Sequence, residues 1–301
     1  MKIVVRGANW IGDGVMTVPA LRELRRLFPD ASITLHTRTW AKGVFQNADF
    51  LDEVISFDRE TGVRNLRGQA ALLREKKFDL GIVFPNSFAS ALAMRLGGVD
   101  RRFGYAKEGR GFLLSDPVEI PTWKNERHEV YYYLNLISQV ETAILGTDTT
   151  ARSQLNGSLN VSPQRKAAAR QILSDAGVKH GQKVVALGVG STNSMAKRWG
   201  AERYARLNDA LQTQTGAAVM LVGGPDEIDV SKEVVERSKH EPLVLTGKTN
   251  LSEATAILSI VDLLVSNDMG LAHIAPATGT KTIVIFGPTD PATTRPFSEN
   301  G

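Results

Sequence analysis

Asp13 closes a glycine-containing turn, Arg6-Gly7-Ala8-Asn9-Trp10-Ile11-Gly12-Asp13-Gly14, that carries the chain from an apolar run into a helix-period segment. A carboxylate on a loop that faces a cleft can act as general base toward a hydroxyl. Asp is also a favoured helix N-cap, so the blander role stands beside the chemical one. The glycines are not spaced as GxGxxG, which leaves no nicotinamide or flavin fingerprint. Two further loops suit a bound anion. Gly188-Val189-Gly190-Ser191-Thr192-Asn193-Ser194 follows an apolar run, with Lys197-Arg198-Trp199 soon after. Backbone amides, hydroxyls and a cation in one loop suit a diphosphate, although a solvated basic loop would look the same. Ser266-Asn267-Asp268-Met269-Gly270-Leu271-Ala272-His273 runs from a strand into a helix, and a glycine at a helix N-terminus lets an anion approach the amides. There Asp268 could simply cap the helix and His273 could simply pack inside it. Leu245-Thr246-Gly247-Lys248-Thr249 imitates the end of a P-loop, but the glycine required five positions before Gly247 is Pro242, which has no N–H to offer phosphate. It reads as an ordinary turn.

The elements that must position these residues alternate. Strands are expected at Lys2 to Val5, Ser32 to His36, Val54 to Phe57 and Leu80 to Phe84, with helices at Val15 to Leu27, Trp40 to Asn47, Val63 to Lys76 and Phe88 to Leu96. From Gly146 to Ser162 the composition turns to Thr, Ser, Gly and Asn without a sustained period, as in an interdomain connection. Pro163 then sits at a helix N1 position. Strands resume at Val184 to Gly188, Ala218 to Val222, Leu243 to Leu245, Leu263 to Ser266 and Thr282 to Phe286. The helices between them are Glu202 to Gln214, Ile228 to Lys239, Ser252 to Ser259 and Gly270 to Ala277. The pattern predicts two doubly wound α/β domains, residues 1–150 and 163–301, facing a central cleft that holds the site.

Composition fits this. At 301 residues the chain is long enough for two cores, and 42% hydrophobic with 23% charged residues is a globular balance. Lys plus Arg is 36 against 32 Asp plus Glu, a net +4, too mild for a nucleic-acid duplex and better suited to an anionic ligand. The absence of cysteine excludes disulfides, thiolate nucleophiles and cysteine-based metal sites. Arg6 interrupts the first apolar stretch too early for a secretory signal, and no apolar run spans a bilayer. A cytoplasmic protein follows, with any membrane contact peripheral.

The segments RGANWIGDGVMTVPALRELRRLFPDA, VFPNSFASALAMRLGGVDRRFGYAKEGRGFLL and RHEVYYYLNLI, followed by GSTNSMAKRW, LVGGPDE and VSNDMGLAHIAPATGTKTIVIFGPTDP, cover most of the chain. Together they resemble the ADP-heptose:lipopolysaccharide heptosyltransferases of glycosyltransferase family 9, heptosyltransferase II type. The resemblance implies a GT-B fold, two Rossmann-like domains, with the acceptor on the N-terminal one and the ADP-sugar donor on the C-terminal one. It implies inverting transfer of heptose from ADP-heptose to the lipopolysaccharide inner core, with Asp13 as base. By the same resemblance Lys197 contacts phosphate, Asp226 and Glu227 meet the ribose, and Asp268, Met269, Gly270, Leu271 and His273 form the diphosphate motif. Met269 departs from the usual Thr or Ser, removing one hydroxyl contact. Arg101, Arg102, Lys107 and Arg110, with Arg127 and His128, are the cations available to an acidic acceptor; a solvated basic face is the blander account. Closure of the domains would bring Asp13 to the donor. No metal or other cofactor is expected beyond the donor itself, and the membrane contact implied is peripheral, at the inner membrane. The chain ends at Gly301, earlier than the resemblance leads one to expect. Two other readings of the same architecture are a nucleotide-sugar epimerase and a nucleotide-sugar-binding protein without turnover.

Overall fold

Runs of apolar and β-branched residues bounded by turns become short parallel strands, and the helix-period segments between them become the crossovers that parallel pairing requires. The computed structural model describes residues 1–57, 62–191 and 194–297. The chain divides into two units, Met1–Gly157 and Ser158–Gly301.

In the N-terminal unit the order is β1 (Lys2–Arg6), α1 (Ile11–Met16), α2 (Val18–Leu27), β2 (Ser32–Arg38), α3 (Ala41–Phe45), β3 (Glu53–Phe57), α4 (Val63–Lys76), β4 (Leu80–Val83), α5 (Phe88–Leu96), β5 (Arg101–Tyr105), β6 (Asp116–Val118) and α6 (Glu129–Leu145). The strands form one six-stranded sheet in the order β3-β2-β1-β4-β5-β6, parallel at every pairing. β1 is buried on both faces from Ile3 to Arg6, which is why it reads as a continuous apolar run. Strand order reverses between β1 and β4, so a crevice opens past their carboxyl ends.

In the C-terminal unit α7 (Pro163–Asp175) starts on a Ser162 cap that accepts from the Arg165 N–H, with Pro163 at N1. Then come β7 (Val184–Gly188), α8 (Ala201–Thr215), β8 (Ala218–Leu221), α9 (Ile228–Arg237), β9 (Leu243–Val244), α10 (Leu251–Leu258), β10 (Leu263–Asn267), α11 (Gly270–Ala277), β11 (Lys281–Ile285) and α12 (Pro291–Thr294). The five strands run β11-β10-β7-β8-β9, all parallel, and the reversal falls between β7 and β10. A core of Leu187, Val189, Tyr204, Val219, Leu221 and Val234 holds sheet to helices. Each such side chain contributes about 1.5–3 kcal/mol on burial.

Beyond the short α12, three elements lie outside the expected pattern. β5 and β6 extend the first sheet where only basic residues had been noted, and α6 occupies the RHEVYYYLNLI segment. The expected first helix divides at Thr17 into α1 and α2, just ahead of Pro19, whose ring cannot continue the α1 hydrogen bonding. The segment after α6 is also better held than its composition suggests. The Glu141 carboxylate accepts from the N–H and hydroxyl of Thr149 and of Thr150, and from the Thr147 hydroxyl, all at 2.7–2.9 Å. No helix among the described residues is long and apolar enough to cross a membrane.

Candidate functional site

The carboxyl ends of β1 and β4 open on a pocket of about 270 Å³. After β1 it is lined by Ala8, Asn9, Trp10 and Asp13; after β4 by Phe84, Pro85, Asn86 and Ser87; and Glu108, Glu129, Tyr132 and Tyr133 complete the wall. Asp13 is not the helix cap. Trp10 is the N-cap of α1 and makes no side-chain cap bond, while Asp13 lies in the first turn. A carboxylate there is favoured by the helix dipole, and it lines the pocket. Its position is set from behind. Gly14 lets the Trp40 ring pack against α1 where a Cβ would come within 2.4 Å of it, and Trp40 Nε1 donates to the Asn9 carbonyl at 3.2 Å. Arg6 Nη2 reaches Asn9 Oδ1 at 3.2 Å. Burial first and Arg38 second lower the Arg6 guanidinium to about 9. The Tyr133 hydroxyl is pushed well up by burial, with the Asp13 charge adding to the shift.

The cations expected to receive the acceptor are engaged elsewhere. Arg101 pairs with Asp116 at 2.6 Å. Arg102 donates to the carbonyls of Leu113 and Asp100, both at 2.8 Å. Arg110 is fully buried and bonds the carbonyls of Tyr105, Pro85 and Ser87. Arg127 stacks on Trp123 and Tyr131. The His128 Nδ1 caps α6, accepting from Val130 N at 3.2 Å. Lys107 is exposed and does not line the pocket. Charge is visible in a sequence; whether it is neutralised inside is not.

In the C-terminal unit the loops past β7 and β10 are tied together by Asn267. Its amide donates to the carbonyls of Val189 (2.8 Å) and Gly190 (3.1 Å), and its oxygen accepts from Trp199 N and the Tyr204 hydroxyl, both at 3.0 Å. Thr192 and Asn193 of the first loop lie outside the described residues. Lys197 closes a short 3-10 turn, Met195–Lys197, and its ammonium is 2.6 Å from Asp268 Oδ2. Asp268 therefore faces Lys197 and does not cap α11; the N-cap is Met269, without a side-chain cap bond. Gly270 and Leu271 begin the helix, and Leu271 is buried, so these positions present backbone amides. His273 is buried, its Nε2 4.0 Å from Asp268 Oδ1.

Asp226 and Glu227 lie on the turn Pro225–Glu227 after β8; Asp226 is exposed and Glu227 is 2% exposed. Gly190 and Gly223 make room for Glu227: a Cβ at either position would come within 2.1 Å and 2.5 Å of its carboxylate. Glu227 Oε2 accepts from Gly224 N at 2.8 Å, while buried Oε1 has no partner among the described residues. Burial raises the Glu227 carboxyl against the opposing pull of that N–H and of Arg198. A buried acceptor without a donor suits a ligand hydroxyl. Among the described residues no cluster of three or more His, Asp or Glu could hold a metal ion.

Sequence reasoning missed Asn86, Ser87, Glu129, Tyr132 and Tyr133 as pocket residues. The available signal was their topology, since the loop after β4 must meet the loop after β1 at the point of strand-order reversal.

Comparison with known proteins places these loops in context. Residues 68–301 match the family model Glycosyltransferase family 9 (heptosyltransferase). Lipooligosaccharide heptosyltransferase 2 of Haemophilus influenzae is 29% identical over 99% of this chain and 87% of its own length. Lipopolysaccharide heptosyltransferase 2 of Salmonella typhimurium is 28% identical, over 99% and 86%. The structure of E. coli ADP-heptose lps heptosyltransferase II superposes with a TM-score of 0.87 at 27% identity, covering 100% of this chain and 89% of that one.

Proposed function

The chain belongs to glycosyltransferase family 9, the heptosyltransferase family, and we propose that it transfers heptose from ADP-heptose to a hydroxyl of the lipopolysaccharide inner core, with inversion at the anomeric carbon. The single observation that carries the mechanism is Asp13, a carboxylate in the first turn of α1 that lines the pocket past β1 and β4.

In this reading the pocket of the N-terminal unit holds the acceptor, and Asp13 takes the proton of the attacking hydroxyl. The C–O bond to the sugar forms as the bond to the ADP oxygen breaks, and the electron pair leaves with ADP. Lys197 and the amides at Gly270 and Leu271 meet the charge that develops on the departing diphosphate. Asp268 and His273 hold Lys197 and the helix start in place, and Met269 contributes backbone alone. Glu227 Oε1 accepts from a ribose hydroxyl, with exposed Asp226 beside it. The scheme uses no metal or other cofactor. We take the chain to work in the cytoplasm in peripheral contact with the inner membrane. Phe88 and Phe112, 41% and 67% exposed with rings 6.0 Å apart, support such a contact.

The matched relatives are transferases, which favours transfer over the epimerase reading or binding without turnover. Incubation with ADP-heptose, with and without a truncated core acceptor, tests the choice. Product is expected only when acceptor is present; sugar released or epimerised without acceptor overturns the reading.

A further inference from the structure

The pocket beside Asp13 is lined by three carboxylates, Asp13, Glu108 and Glu129, and by no lysine or arginine among the described residues. Behind its wall sits Arg110, whose guanidinium can only donate. Its Nη1 fastens the carbonyls of Pro85 and Ser87, and its Nη2 donates to Asn86 Oδ1 at 3.4 Å. With that oxygen engaged, Asn86 Nδ2 donates to the Tyr132 phenol oxygen at 3.1 Å. The reverse bond, from the phenol to Asn86 Oδ1, is longer at 3.3 Å and competes with Arg110 for one oxygen. Arg110 thus decides the direction of the chain of bonds. A phenol that accepts from Asn86 keeps its own proton for another acceptor.

Tyr132 is built to hold still while doing so. Its ring stacks on Tyr105 at 4.0 Å and 14°, and the Tyr105 hydroxyl donates to the Tyr132 carbonyl at 2.7 Å. Burial raises the Tyr132 phenol to about 12, so it remains a donor.

Resting on the reading of this pocket as the acceptor site, we propose that Arg110 and Asn86 are positioning residues that aim the Tyr132 hydroxyl proton into the pocket, where it donates to an oxygen of an uncharged accepting sugar ring. Glu129 is paired with Lys124, so the carboxylates that accept from the ring hydroxyls and disfavour an anionic substituent on that ring are those of Asp13 and Glu108. Acceptor recognition at the reacting sugar is therefore by directed hydrogen bonds rather than by arginines.

The test compares acceptor KM, donor KM, kcat and thermal midpoint for wild type, Tyr132→Phe, Asn86→Asp and the double variant. Loss of one directed hydrogen bond should raise acceptor KM about tenfold in Tyr132→Phe, with donor KM and the thermal midpoint unmoved. Asn86→Asp should raise it equally although the phenol is still present, because a carboxylate at that position only accepts and draws the phenol proton away from the pocket. The double variant should be no worse than Tyr132→Phe alone. Arg110→Lys, which keeps the charge but loses the bond to Asn86, should raise acceptor KM by the same route. Wild-type acceptor KM in Asn86→Asp and Arg110→Lys, or additive effects in the double variant, overturns the proposal. If Asp13→Asn is inactive while Tyr132→Phe uses acceptor like wild type, this inference falls and the acceptor-site reading stands; if Asp13→Asn turns over normally, both fall.

Discussion

Glu227, the proposed ribose acceptor, shows at the residue scale how a buried carboxylate can work against the fold that holds it. Its carboxyl is raised by burial, so between the ordinary carboxylate value and the raised one the native chain binds more protons than the unfolded chain. The stability it contributes is present at acid pH and is lost as pH rises through that window. Glu227→Gln keeps an oxygen for Gly224 N but carries no charge to desolvate. Its thermal midpoint is expected to match wild type near pH 4 and to exceed it at pH 8, as followed by circular dichroism. ADP affinity should fall by roughly tenfold, about 1.5 kcal/mol, because the ribose hydroxyls lose a charged acceptor. Undiminished ADP affinity by calorimetry would remove Glu227 from the donor site. The placement of Asp13 and Lys197 on turns that follow β1 and β7 was legible in the sequence; their roles rest on the proposed function. The burial of Arg110 was not legible, because its three carbonyl partners lie on two other segments, Pro85 and Ser87 on one and Tyr105 on the other.

At the scale of elements, β2 carries a buried histidine in the middle of a parallel sheet. His36 is 0% exposed, neither ring nitrogen has a partner among the described residues, and its ring packs 4.9 Å from Phe57. Burial first and Arg6 second lower it from 6.5 to about 3. Between those values the unfolded chain binds the proton and the native chain does not, so stability falls as pH drops from 6.5 toward 3. His36→Leu removes the titration and two unsatisfied nitrogens. Going from pH 7 to pH 5, wild type should lose about 2 kcal/mol that the variant keeps, read from urea midpoints. An equal loss in both would show that other groups set the acid sensitivity. Most of the expected elements exist, with most strand and helix ends within two residues of expectation, whereas α6 went unread despite its apolar residues. β5 and β6 were not, since RRFGY and DPV carry their pairing partners in neighbouring strands rather than in their own alternation.

At the scale of the whole molecule, each unit has its own parallel sheet with one reversal of strand order, and each candidate group lies just past the strands that flank it. The proposed base belongs to the N-terminal unit and the proposed anion-binding loops to the C-terminal unit. That division lets one substitution separate fold, donor binding and chemistry. Asp13→Asn keeps an acceptor oxygen in the first turn of α1, whose N-cap position is held by Trp10. The decisive measurement is acceptor-dependent heptose transfer from ADP-heptose by Asp13→Asn, set beside its ADP affinity and thermal midpoint. The latter two should match wild type while kcat falls on the order of 10² to 10⁴, since an amide cannot take the proton. Transfer within a few-fold of wild type would contradict the assignment of Asp13 as the base.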